Sequence, residues 1–243
     1  MKTIATNKIA GIKCAVRRRA FTLIELLTVI AVIGVLAALL FPAFSAVKRH
    51  ALINHATAEM GQLETAIDRY KATYGFYPPG STNTINNIPI SQLYYELEGI
   101  TNTGTAVSPQ YQTLDLNPMM LTPGQVNAAF GAGGFINSTK PGAGEDAPKA
   151  RNFLPDLKPK QIGVVTNPPA SGTLVNVLLT SVGGPDQGYQ PLNAPDINPW
   201  RYNSSNPTNN PGTYDLWVQL SIGNKKYLVC NWSSKVQINN PLP

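Results

Sequence analysis

One acidic residue stands where acids are rarely tolerated. Glu25 is the only charge between Phe21 and Phe41, a stretch reading FTLIELLTVIAVIGVLAALLF in which 17 of 21 residues are apolar. A carboxylate inside an apolar helix is costly unless a partner meets it, so its default reading is functional. The familiar catalytic and metal-binding sets are absent. The only histidines, His50 and His55, are five apart, not the i, i+4 spacing of a helical zinc pair, and solvent exposure accounts for them. Both lie in one short segment, so no Ser-His-Asp or Cys-His set emerges. Gly131-Ala132-Gly133-Gly134 precedes Ser138-Thr139-Lys140, but a phosphate loop needs Gly-Lys-Ser/Thr after a strand, and a flexible loop is the better reading. No catalytic residue, metal or cofactor is expected.

The element that must position Glu25 is a membrane helix. Twenty-one residues at ~1.5 Å each make a helix of roughly 30 Å, the thickness of a hydrocarbon core. Lys2, Lys8, Lys13, Arg17, Arg18 and Arg19 precede it, without an acid, and only Lys48 and Arg49 follow closely. The positive-inside rule therefore keeps the N-terminus in the cytoplasm and exports the rest. A cleaved signal peptide fits less well, because its apolar core runs only about 7–15 residues and ends on a small-x-small site. The nearest candidate here, Phe44-Ser45-Ala46, begins with a bulky residue.

The run Arg17-Arg18-Arg19-Ala20-Phe21-Thr22-Leu23-Ile24-Glu25-Leu26-Leu27 resembles the processing site of the type IV prepilin and pseudopilin superfamily. The resemblance implies cleavage between Ala20 and Phe21 by a prepilin peptidase and N-methylation of Phe21. It also implies an assembly role for Glu25, four residues after the phenylalanine, and a helix kink at Pro42. Ala20 departs from the usual glycine before the cut, which predicts slower processing. Cleavage would remove Cys14 and leave Cys230 as the single cysteine, a buried thiol without an intrachain disulfide. The amine created on Phe21 supplies the cation Glu25 lacks, if the carboxylate of an incoming subunit meets the amine of the preceding one. Pro42 has no backbone donor, which loosens the helix locally.

Beyond the membrane the helix continues as a stem. Leu52, Ala56, Met60, Leu63, Ile67, Tyr70 and Tyr74 recur at spacings of 3 and 4, the stripe of an amphipathic helix. Gly75 with Pro78-Pro79 stops it, so the helix would be ~80 Å long if unbroken. Core packing accounts for both tyrosines.

From Pro78 to Pro211 the chain holds 18 of its 21 prolines, which excludes long helices and central strands there. Short helices are expected at Ser91–Glu98 and Pro123–Phe130, the second capped by Thr122. Thr173–Thr180 reads as a buried strand or short helix, and 131–172 as mostly loop. Alternation over Tyr214–Ile222, a Gly223-Asn224 turn and Lys226–Trp232 predict an antiparallel hairpin. Asn198-Pro199-Trp200, Asp215-Leu216-Trp217 and Asn231-Trp232 resemble elements of the major pseudopilin of type II secretion, whose C-terminal loop holds calcium. This chain has no Asp or Glu after Asp215, and calcium needs several carboxylates, so that site is expected to be lost.

The expected fold is α+β and type IV pilin-like, a long N-terminal helix packed on a small antiparallel sheet with long loops. Its parts are a basic leader (1–20), a membrane half (21–41), a periplasmic stem (42–75) and a head (76–243) with a loop-rich insertion at 101–195. The implied function is a structural subunit of a type II secretion pseudopilus in the bacterial inner membrane. Its partners would be the prepilin peptidase, like subunits and other pseudopilins, and an inner-membrane assembly platform. A type IV pilin for adhesion, motility or DNA uptake is the alternative, and an anchored periplasmic binding or enzymatic domain a third. The net charge of +6 points to no nucleic acid, because the leader carries all six and the rest balances 13 basic against 13 acidic residues.

Overall fold

The computed structural model describes residues 22–81, 84–85, 88–89, 91–105, 107–115, 119–140, 149–166, 173–182 and 198–239. The chain divides into two compact units, Met1–Val47 and Lys48–Pro243. A single helix, α1 (Leu23–Tyr74), begins in the first and ends in the second, and its assignment runs through Pro42 without a break.

In the first unit the side chains of α1 from Leu23 to Leu39 are almost all exposed, Leu23 at 81%. A helix apolar on every side and covered by none of the described residues needs lipid or other helices around it. It is long and apolar enough to cross a membrane.

In the second unit the expected stripe is the face that α1 buries. Ala56, Leu63, Ile67 and Tyr70 are fully buried or nearly so, and Leu52, Met60 and Tyr74 pack against the same cluster. The helix ends as its sequence demands: Gly75 takes a φ of 85°, and its N–H closes on the Lys71 carbonyl at 2.7 Å.

The remaining elements, in chain order, are β1 (Thr84–Ile85), β2 (Ile88–Pro89), α2 (Leu93–Glu98), β3 (Ile100–Asn102), β4 (Tyr111–Thr113), α3 (Pro123–Phe130), β5 (Ile162–Thr166), β6 (Leu174–Leu178), β7 (Arg201–Asn203), β8 (Asp215–Ile222), β9 (Lys225–Cys230) and β10 (Gln237–Ile238). They form three two-stranded sheets, β1-β2, β3-β4 and β5-β6, and one four-stranded antiparallel sheet in the order β10-β9-β8-β7. The fold is thus α+β of the type IV pilin-like kind, a long N-terminal helix with small antiparallel sheets.

Local chemistry explains the elements read from sequence. At α3, Thr122 Oγ1 accepts from the Gln125 N–H and Gln125 Oε1 accepts from the Thr122 N–H at 2.9 Å, a capping box with Pro123 in the first turn. The β8-β9 hairpin pairs Ile222 with Lys225, and Gly223 between them takes the positive φ that a two-residue turn requires. Alternation along β8 sends Leu216, Val218 and Leu220 into the main core, while Trp217 packs with Leu228 and Cys230 on the opposite face.

Among the described residues, 131–172 is mostly loop, with one strand that the sequence did not announce. A single 3-10 turn, Pro159–Gln161, leads into β5, which pairs along its full length with β6, from Ile162↔Leu178 to Thr166↔Leu174. Five residues containing Gly163 and followed by Asn167-Pro168-Pro169 are too short to show a period, and only the partner strand makes them a strand. Residues within 101–195 also build the core that holds the stem. Leu121, Val126, Phe130, Phe135, Phe153, Val165, Val175 and Val177 join one cluster with Leu63, Ile67 and Tyr70.

Candidate assembly site and the clasps that hold the head

Ala20 and Phe21 lie outside the described residues. Pro42 lies within α1, and the helix continues past it. Glu25 sits in the first turn of α1, where its carboxylate is held by Thr22: Oε2 accepts from the Thr22 N–H at 2.9 Å and from its hydroxyl at 2.8 Å. The Glu25 N–H in turn reaches Thr22 Oγ1 at 3.3 Å, and the Leu26 N–H reaches the Thr22 carbonyl at 3.2 Å. Thr22-Leu23-Ile24-Glu25 is therefore a capping box as well as a charged motif. The sequence carries the signal, a Thr-x-x-Glu before an apolar run. The first-turn N–H groups also favour a negative charge. Among the described residues Oε1 accepts no hydrogen bond and the side chain is exposed, so one carboxylate oxygen stays open to a cation brought alongside.

Two polar clasps fasten the stem of α1 within the second unit. In the first, Glu96 of α2 is 0% exposed. Its carboxylate accepts from the Tyr70 hydroxyl at 2.9 Å, the Ile136 N–H at 2.9 Å and the Asn137 N–H at 3.0 Å. Burial pushes the Glu96 carboxyl up, opposed by those backbone donors and by Tyr70. Asn137 completes the network by accepting from the Tyr74 hydroxyl at 2.8 Å and donating to the carbonyls of Glu96 and Arg151. Beside it, burial and then the Asp115 charge push Glu98 up to about 7, against a bond from Asn152.

In the second clasp, Glu59 of α1, 5% exposed, accepts from the Thr180 hydroxyl at 2.7 Å, from the Ser181 N–H at 3.2 Å and from the Ser181 hydroxyl. Ser181 Oγ is also 2.8 Å from His55 Nε2. Ser, His and Glu thus meet although the sequence suggested no such set. Glu59 Oε1 lies 3.7 Å from the same ring nitrogen, Nε2, that faces the serine. A relay needs the acid on the other nitrogen, so this is a structural clamp. Its sequence signal was positional: Glu59 falls three after Ala56 and four before Leu63, inside the apolar stripe.

The C-terminal motifs converge on β8. Asn231 accepts from the Leu216 N–H at 3.0 Å and donates to the Tyr214 carbonyl at 3.0 Å, and the rings of Trp217 and Trp232 are 5.9 Å apart. Asn198 donates to the Gln219 carbonyl at 2.8 Å. Arg201, opposite Trp217, is 2% exposed and desolvation pushes it down to about 10. The Asp215 carboxylate is occupied by the N–H groups of Thr208, Asn209 and Asn210 at 2.8–2.9 Å. Among the described residues no three His, Cys, Asp or Glu gather as a metal site.

Known proteins resemble part of this chain. The prokaryotic N-terminal methylation motif matches residues 16–41. The type II secretion system core protein G of Pectobacterium carotovorum subsp. carotovorum is 40% identical over 62 residues, 26% of this chain and 40% of that protein. Core protein G of Escherichia coli (strain K12) is likewise 40% identical over 62 residues, covering 43% of its length. The chain spans about two fifths of the curated relatives it matches, and no solved structure matches it. The methylation motif closes at residue 41, where the apolar run also ends, so it is in its N-terminal segment that the chain is similar to prepilins.

Proposed function

We propose that this chain is a structural subunit, not an enzyme, of a type II secretion pseudopilus. Prepilin peptidase would cut between Ala20 and Phe21 and methylate the new amine. The 21–41 segment then anchors the subunit in the inner membrane, with the 42–75 stem and the head in the periplasm, until the assembly platform draws it into a polymer with like subunits and other pseudopilins. The observation that carries this reading is Glu25, held in the first turn of an exposed apolar helix, four residues from the amine that cleavage would create. Pairing of that carboxylate with the Phe21 amine of a neighbour would make departure from lipid favourable only in register.

Mass spectrometry of the mature N-terminus tests processing, with N-methylated Phe21 expected; a start at Val47 would restore the signal-peptide reading. Shearing tests assembly: the protein should appear in the sheared fraction, and retention of all of it in membranes would favour an anchored binding or enzymatic domain. A type IV pilin remains the second reading, supported by the extent of 101–195, which has no counterpart in the pseudopilin resemblance. Localisation of the filament separates the two, since a pilus projects from the cell surface.

A further inference from the structure

In the second unit, the Arg49–Ile53 stretch of α1 and the β9-β10 hairpin enclose a groove of about 360 Å³, lined by Arg49, His50, Ile53, Lys225, Tyr227, Val236 and Ile238. One wall is apolar and the rim is basic. We infer that this groove binds the phosphate end of an anionic membrane phospholipid, with Arg49 and Lys225 on the phosphate and Ile53, Val236 and Ile238 against the glycerol and upper acyl chain. The inference rests on the anchored reading above.

Three observations support it. The first is charge segregation. Residues 43–58 and 216–239, the segments that supply every lining residue, contain Lys48, Arg49, Lys225, Lys226 and Lys235 and not one Asp or Glu. The part of the chain after the leader is formally neutral, so this local excess is offset by acids elsewhere. The nearest acid along α1, Glu59, is engaged by Thr180 and Ser181. Among the described residues no carboxylate forms an ion pair with Arg49, His50 or Lys225.

The second is position along the chain. Arg49 follows Pro42 by seven residues, about 10 Å of helix, and the headgroup layer extends about 5–8 Å beyond the hydrocarbon on each side. An arginine side chain bridges that difference, and its planar fork suits a phosphate bidentately. Lys225 opposes it across the groove as a mobile point charge.

The third is the mixed lining. Ile238 is 55% exposed beside cationic side chains, an arrangement that neither a soluble anion nor an apolar peptide satisfies at once, whereas a phospholipid offers both chemistries in one molecule.

The test uses the full chain in nanodiscs of phosphatidylcholine alone or enriched in phosphatidylglycerol, read by hydrogen exchange of peptides covering 48–54 and 225–239. Several-fold slower exchange of both peptides with phosphatidylglycerol is expected, reversed by high salt and abolished in an R49Q/K225Q double variant, in which half-buried Arg49 and exposed Lys225 lose charge but keep most of their length, and whose unchanged exchange in β8 confirms an intact fold. Equal exchange in the two lipids, or protection that survives the double substitution, overturns the lipid site while leaving anchoring in place. Protection that follows protein-to-lipid ratio rather than lipid charge overturns it in favour of a second copy of the chain. A chain that enters neither bilayer overturns the anchored reading and the lipid site together.

Discussion

The Tyr70 hydroxyl of the stem donates at 2.9 Å to the Glu96 carboxylate, 26 residues away in α2 and fully buried. This bond ties the long helix to the short helix at the centre of the head. Tyr70→Phe removes it and nothing else of consequence, and a hydrogen bond to a charged acceptor contributes about 1.5–3 kcal/mol. Denaturant unfolding of the full chain in detergent should show a loss of that size in the head transition; an unchanged midpoint would mean the clasp contributes no net stability.

Glu98 carries a pH signature. Its folded value of about 7 lies above the ordinary carboxylate value, so between the two the folded state holds more protons than the unfolded one. Its stabilising contribution is complete below the unfolded value and is lost as pH rises through about 7. Glu96, also raised, acts in the same direction. Thermal unfolding at about pH 5 and about pH 8 should therefore show a fall toward alkaline pH that is smaller in Glu98→Gln. A variant with an unaltered pH slope would exclude Glu98 as a source.

Glu25 has two roles that substitution can separate. Thr22→Ala removes the cap, weakening the helix start by about 1 kcal/mol, yet leaves the carboxylate in place. Glu25→Gln keeps most of the side-chain geometry but removes the charge. If pairing with the Phe21 amine drives assembly, Glu25→Gln should be cleaved normally and lose filaments in shearing assays, while Thr22→Ala keeps most of them. Equal loss in both would reduce Glu25 to a helix cap.

Glu59→Ala should release the segment after β6. The Ser181 N–H loses its acceptor and the buried Thr180 hydroxyl its partner, at a cost of about 1–3 kcal/mol for the buried hydroxyl left unsatisfied. Hydrogen exchange at Ser181 should accelerate by at least tenfold without a comparable change in β8; protection that persists would show another acceptor in place of Glu59.

Cys230 is buried at the end of β9, and burial pushes its thiol up. It should resist a maleimide in the native protein and react fully after unfolding. Fast labelling of the native chain would place the thiol at an accessible surface.

Much of this protein was legible in one dimension because it depends on local chemistry. The apolar run, the stripe from Leu52 to Tyr74, the Thr122 cap and the Gly223-Asn224 turn are set by neighbours within four residues, and each element formed where its pattern stood. The charge on Glu25 was also local, since an acid in an apolar helix is conspicuous in any context. Tertiary structure decided what depends on partners distant in sequence. β5 became a strand only against β6. Glu59, an ordinary helix residue by sequence, became the anchor of Thr180 and Ser181 across 121 and 122 positions. Arg49 and Lys225 face one groove although 176 residues separate them. The physical reason is the same in each case: burial and pairing are properties of a site in space, and a single sequence states them only where the chain's own periodicity brings the partners together.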